Sequence, residues 1–501
     1  MTLRYASSPL TTTRRRPEPA AAFSALGAFR SAPRARSGFR RREAVLFWLL
    51  LAVVLLAPLP LGSNRPLPAS ALSAAVGALL CAWAVGWLAA HPRAIVPIRR
   101  FWPALVLFGL AAGWAAVQAM PFTPRWLHHP YWGEAHRVLD VPAAGAISVN
   151  PPATWNRLMG LLAYGGIFWL ALQLGRTDAR AHQALLALAA GGLLYAAYGL
   201  LEAFAADTGV VTSTFVNRNS YATYAGITLF CGLGLVLHEL TRRAKAGTSL
   251  RRIAFNALSR LDAPLAIGVM TGLVAGTALL LTQSRGAFVA LCAALVGFVW
   301  SLRRMALVTS KAFFKATAVF SIGLFFGIVW LAGEGTLARF QDADVHALNR
   351  LAYYRTTWTA IQDRPLLGTG YGTYADAFKA YNHPDTGTYF LDKAHNTYLQ
   401  LIMEFGWPAA AALFSSLGLL VLRCLQGLFR QGRGVAYPAV LASCSVLVAV
   451  HSLVDFSLEM PAIAATYALL LGVGCAQSVR GRAGPARERR DRTGPCGPRT
   501  Q

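Results

Sequence analysis

Apolar residues along the chain run in long blocks of about 20, the length a helix needs to cross the hydrocarbon core of a bilayer. Twelve such blocks lie near 44–62, 70–90, 103–120, 156–175, 182–203, 220–240, 263–283, 285–302, 313–333, 405–424, 436–455 and 460–478. The predicted fold class is an all-α integral membrane protein with about 12 transmembrane helices. The first block follows a charged leader that ends at Glu43, and no small-residue cleavage site follows Pro60-Leu61-Gly62. An uncleaved first span is therefore expected rather than a signal peptide.

Composition supports this reading. The 501 residues are 55% hydrophobic and 14% charged, against about 25% charged in a soluble domain. Neither a disordered chain nor a soluble globular enzyme fits. The net charge of +26 first suggests nucleic acid, but its placement argues otherwise. Residues 1–43 hold ten Arg and two Glu, and residues 479–501 hold seven Arg and two acids. Both tails are rich in Pro, Gly, Ser and Ala, and they read as disordered basic cytoplasmic arms flanking a membrane domain over 44–478. Neither shows the basic face with interleaved aromatics that nucleic acid requires. With both termini inside and twelve spans, 35 of the 47 Lys and Arg fall on the cytoplasmic side and 12 on the other. The basicity thus encodes orientation. The cysteines lie in apolar spans or toward the cytoplasmic side, so no disulfide framework is expected.

The spans are nearly free of ionisable residues; Glu202, Glu239, Arg285 and Asp455 fall near span ends. An ion-coupled transporter normally needs charge at mid-depth, whereas a carrier of neutral substrate does not. Polar residues gather instead in two outer loops, 121–155 and 334–404. In the second, Leu351, Tyr354, Trp358 and Ile361 keep helical apolar spacing, a turn-rich stretch runs from Arg364 to Gly372, and a helix starts near His395-Asn396. Gly368-Thr369-Gly370-Tyr371-Gly372 is neither a phosphate loop nor a dinucleotide fingerprint. Asp342-Ala343-Asp344 and His128-His129 read as loop residues rather than metal ligands.

Four stretches, in order, carry a family resemblance: Phe215-Val216-Asn217-Arg218-Asn219-Ser220-Tyr221-Ala222; Thr282-Gln283-Ser284-Arg285-Gly286-Ala287; Arg350 through Gly372; and His395-Asn396 followed by Gly406. With the large loop in its place, they resemble the O-antigen ligase family, which includes the related O-antigen polymerases, over roughly residues 44–478. The ending Trp407-Pro408-Ala409 departs from the ligases, whose motif continues with further glycines. The resemblance implies a C-type glycosyltransferase fold with a large periplasmic loop in the bacterial inner membrane. It also implies transfer of a glycan from an undecaprenyl diphosphate donor to a hydroxyl acceptor, whether lipid A-core, another glycan or a protein.

Such chemistry needs fixed positive charge near the diphosphate and a base near the acceptor hydroxyl. Arginine suits the first because its fork donates paired hydrogen bonds and stays charged. Arg285 and Arg350 are the first candidates, with Arg218 and Arg355 behind them; Arg350 is preferred over Arg355 for its spacing to Pro365. His395 is the candidate general base, its ordinary pKa lying near neutrality. Asn396 orients a sugar or the imidazole, or else caps the helix. Trp358 and the loop tyrosines Tyr353, Tyr354, Tyr371 and Tyr374 stack on sugar rings or rest at the lipid interface. No cofactor or metal is expected, and the partners are the lipid-linked donor, the acceptor and membrane lipids, without nucleic acid. A flippase or polysaccharide transporter is the alternative class, and ligase and polymerase remain two options.

Overall fold

The computed structural model describes residues 33–90, 96–140, 144–243, 262–304, 351–381, 392–429 and 436–480. Among them there is helix and no strand. The long helices are α1 (Pro33–Leu56), α2 (Pro66–Ala90) and α3 (Trp102–Ala119), separated by a short α4 (Tyr131–Leu139) from α5 (Pro151–Leu174) and α6 (Asp178–Ala205). Then come α7 (Arg218–Arg243), α8 (Ala263–Leu281) and α9 (Arg285–Arg304). The loop region contributes α10 (351–363), α11 (Tyr374–Phe378) and α12 (Thr397–Phe405). The chain closes with α13 (Trp407–Leu428), α14 (Ala436–His451) and α15 (Pro461–Arg480).

Among the described residues, eleven of these helices coincide with eleven of the twelve expected spans, and nine are long and apolar enough to cross a membrane. The expected span 313–333 lies outside the described residues. The first helix begins at Pro33, ahead of the expected 44. Local chemistry sets several starts. Asn150 accepts a hydrogen bond from the Ala153 amide ahead of the Pro151-Pro152 pair, and Thr177 accepts one from Arg180. Prolines occupy the first turns of α8, α13 and α15. A missing amide costs nothing there, where no helical acceptor exists.

From α1 to α9, and again from α13 to α15, successive long helices reverse direction, so the bundle has two ends. One end gathers 121–155, 206–217, 282–284, 351–381 and 392–406 and is called the loop end. At the other, Gln173 brackets the Val96 backbone with two hydrogen bonds of 3.0 Å, and Arg176 pairs with Glu43.

Burial separates the centre of the bundle from its rim. In their most apolar stretches, 89% of α7 and 94% of α15 is buried, against 17% of α2. The outer helices turn aliphatic side chains outward, including Val85, Leu88, Val106, Leu110 and Leu273, as a lipid-facing surface requires. Packing within the bundle relies on small residues. A Cβ on Gly232 of α7 would stand 2.8 Å from the Gly268 carbonyl of α8, and one on Gly268 would stand 2.9 Å from the Gly232 carbonyl. Close backbone approach of this kind substitutes in lipid for the missing hydrophobic drive. Thr271, one turn on, donates to the Ala189 carbonyl at 3.0 Å and ties α8 to α6.

Gly268→Ala forces these backbones apart and should destabilise the protein by about 1–3 kcal/mol. Gly86→Ala meets open space and should leave the unfolding midpoint unchanged or raise it. Thermal unfolding of both variants in detergent micelles checks the contrast.

Candidate functional site

At the loop end, the turn between α14 and α15 (residues 452–460) is the meeting point. Four elements dock on it. From the start of α12, Thr397 donates its amide to the Ser452 carbonyl at 2.9 Å and its hydroxyl to the Asp455 carbonyl at 3.0 Å. Asn396 donates to the Leu453 carbonyl at 2.9 Å. From the start of α7, Asn219 reaches Asp455 at 3.5 Å. Gly286, second residue of α9, packs so tightly that a Cβ there would meet Val454 at 2.6 Å. From α5, Arg157 pairs with Glu459 at 2.9 Å.

Asp455 is fully buried. A chain of hydrogen bonds reaches it: His451 Nδ1 and Thr223 Oγ1 lie 2.6 Å apart, Thr223 donates to Ser457 Oγ at 2.9 Å, and Ser457 donates to Asp455 Oδ2. Burial pushes the Asp455 carboxyl above its ordinary range, opposed by the Ser457 hydrogen bond and by His395. His395 Nδ1 lies 3.9 Å from Asp455 Oδ1, an ion-pair contact longer than a hydrogen bond. Its ring meets Phe456 edge-on, with centroids 5.0 Å apart. The backbone of His395 is left-handed, φ +51°, an uncommon state for a residue with a Cβ. Tyr354 of α10 holds it there by donating to the His395 carbonyl at 2.9 Å. Nδ1 is thus the ring nitrogen turned to the carboxylate.

Arg218 and Arg285 are the first residues of α7 and α9. Both are exposed, and both add a cation to a helix terminus that is already electropositive. Through Asn219 and Gly286 the two termini border the same turn that carries Asp455. Arg355 is exposed on α10, next to the Tyr354 that fixes His395. Arg350 and the Asp342-Ala343-Asp344 stretch lie outside the described residues. Asn396 takes the capping role: its side chain accepts from the Leu399 amide at 3.1 Å. Trp358 is exposed and meets Trp407 edge-on at 6.3 Å. Tyr353, Tyr371 and Tyr374 are buried in a satellite apolar cluster rather than offered to a ligand. His129 is buried too, and burial aided by Arg364 lowers its pKa to about 4.

Sequence reasoning missed a second set of residues, an ionic network behind the first. Glu459 Oε2 receives Arg157, Lys393 at 2.7 Å and Gln400 at 2.7 Å. Gln400 also donates to Glu404 at 3.2 Å. Glu404 in turn holds the glycine-rich turn, accepting the Gly372 amide at 2.9 Å and the Tyr374 amide at 3.2 Å. Its carboxyl is pushed up by burial first and by Glu459 second. The glycines of that turn are required: Gly368 and Gly370 have φ +69° and +109°, and Cβ atoms there would stand 2.3 Å from the Glu404 carbonyl and from Ser148 Oγ. The signal was present at 397, 400 and 404, where polar residues recur on one face of an otherwise apolar helix.

Two measurements test this architecture. Glu459→Ala strands two cations beside a buried carboxyl and should cost about 3–5 kcal/mol, read as a lowered unfolding midpoint in micelles. The neutral state of His129 should make stability fall as pH drops from about 6.5 toward 4, because the unfolded chain then binds a proton that the folded one does not. His129→Gln should flatten that limb of the stability–pH curve.

Compared with known proteins, residues 270–414 match the family described as O-Antigen ligase. This stretch runs from α8 through α9, α10 and α12 into α13, and it contains Arg285, Arg355 and His395. No curated protein matches the chain. The nine described helices long and apolar enough to cross a membrane make this a multi-pass membrane protein, and over residues 270–414, the stretch that carries the motif-bearing loop, it is similar to the O-antigen ligase family.

Proposed function

We propose that this protein transfers a glycan from an undecaprenyl diphosphate carrier to a hydroxyl acceptor, with the loop end of the bundle facing the periplasm and both termini in the cytoplasm. The observation that carries the reading is the convergence of His395 and the arginine-headed termini of α7 and α9 on one turn with a buried carboxylate. The match of residues 270–414 to the O-antigen ligase family supports glycan transfer in the general sense. The concentration of Lys and Arg toward the opposite end supports the orientation.

In this reading the diphosphate rests against Arg218 and Arg285, where helix amides and guanidinium groups both favour an anion. Arg355 and Arg350 supply further charge from the loop. As the sugar–phosphate bond breaks, negative charge grows on the leaving oxygen. Fixed cations stabilise it without reorganising at the moment of reaction, and no metal is needed for that role. His395 Nε2 takes the proton of the acceptor hydroxyl. Asp455 is a positioning residue: it aligns the imidazole and stabilises the imidazolium that forms. Trp358, exposed beside Trp407, suits a sugar face.

The reading is tested by glycan transfer in membranes supplied with a polyprenyl diphosphate-linked donor. His395→Ala should lower turnover by about 10²–10⁴-fold. Arg285→Ala and Arg218→Ala should each reduce kcat/KM, with Arg285→Lys recovering part of it. Asp455→Asn should lower kcat with little change in KM, since the imidazole loses the carboxylate that aligns it while the donor and acceptor contacts stay in place. Full activity in properly inserted His395→Ala and Arg285→Ala variants overturns the assignment. Movement of lipid-linked glycan between leaflets without new glycosidic bonds would favour a flippase instead.

A further inference from the structure

The end of the bundle away from the candidate active site gathers a second group of reactive side chains that glycan transfer does not use. It comes from three helices. His182 stands one turn into α6, His238 and Glu239 stand one turn before the end of α7, and Tyr437 is the second residue of α14. His182 Nε2 lies 3.1 Å from Glu239 Oε1, and the two imidazole rings are 4.9 Å apart. The Glu239 side chain is 2% exposed and that of His182 21% exposed, so the carboxylate is enclosed while one edge of the group stays open to approach.

The surrounding contacts orient these side chains. Tyr437 hydroxyl lies 3.3 Å from His238 Nδ1 and 3.3 Å from Asp178 Oδ1. Engaging Nδ1 in this way leaves His238 Nε2 as the coordinating nitrogen. Arg242 donates to Glu239 Oε2 at 2.8 Å, which turns Oε1 toward His182. A simple histidine–carboxylate hydrogen bond accounts for one pair. It does not account for a second imidazole packed on the first, itself oriented through a tyrosine by a carboxylate.

The donor atoms of His182, His238 and Glu239 all lie within 4.8 Å of one another. A tetrahedral shell with bonds of about 2.0 Å has edges of about 3.3 Å. The His182–Glu239 pair already has that spacing, and side-chain rotation closes the rest. The geometry points to a divalent transition-metal site of the zinc class formed by His182, His238 and Glu239, clamping α6 to α7 at this end of the bundle. Two imidazoles and one carboxylate suit zinc, cobalt or nickel. Magnesium and calcium prefer oxygen ligands throughout. The fourth position belongs to water, and Tyr437 and Arg242 form the outer layer.

The test uses the full chain in detergent, purified through a tag without histidine and stripped with chelator. It is titrated with Co²⁺ followed by visible absorption, and with Zn²⁺ followed by thermal unfolding. The expected result is one saturable Co²⁺ per chain with the ligand-field bands of a four-coordinate site, displaced by Zn²⁺. Zn²⁺ should also raise the unfolding temperature, because the metal binds only the folded arrangement. His182→Gln and His238→Gln should each weaken binding at least about ten-fold, and Tyr437→Phe by about ten-fold through the outer layer. Absence of saturable Co²⁺ uptake by the unaltered protein overturns the proposal. So does unchanged affinity in a folded His182→Gln/His238→Gln double variant.

Discussion

Arg157, Lys393 and Gln400 all direct donors at the same oxygen of Glu459, and the architecture of the loop end depends on that convergence. The participants come from α5, the segment before α12, α12 itself and the turn before α15. Glu404 extends the network to the glycine-rich turn, and Gln118 of α3 reaches the same Glu404 carbonyl at 2.9 Å. Two carboxyls, one guanidinium and one ammonium gathered in a largely enclosed space tolerate few alternative arrangements. A buried charge stripped of its partner is strongly destabilising, whereas the intact set is close to balanced. The network therefore acts by permitting one packing of the loop against the bundle rather than by adding large net stability.

The consequence for chemistry is indirect but specific. His395 follows Lys393 by two residues and precedes Gln400 by five, so both flanks of the proposed base are anchored to Glu459. The left-handed backbone at His395 is an energetic cost held in place by Tyr354 and by the docking of α12 on the 452–460 turn. That docking aims Nδ1 at Asp455. The arginine-headed termini of α7 and α9 meet the same turn through Asn219 and Gly286. In the proposed reaction, diphosphate-binding cations and the base are thus carried on rigid helix ends rather than on a freely moving loop, as positional catalysis requires.

The two ends of the bundle solve different problems with similar materials. At the loop end, carboxylates are satisfied by Arg, Lys and backbone amides. At the opposite end, Glu239 faces imidazoles, and Glu43 meets Arg176 and Arg180. Between them the helices carry almost no charge, and contact is made through glycine, alanine and small hydroxyl residues.

The apolar blocks determined the helices, because in lipid every backbone amide and carbonyl must be satisfied within its own segment. Block length therefore located eleven spans, ten of them to within about five residues at each end, while the first helix starts well ahead of its apolar block. The capping role of Asn396 and the need for glycine at 368 and 370 are likewise local, and the residue types announce them. What only the tertiary structure decided was partnership. Nothing in the sequence relates Arg157 to Glu459, 302 positions apart, or His182 to Glu239. Burying the loop tyrosines, which the sequence left equally suited to sugar or lipid, was likewise a matter of how α10, α11 and α12 pack together. Backbone satisfaction is a property of one segment, whereas charge pairing and burial belong to segments brought together, and for those the order of residues carries no distance.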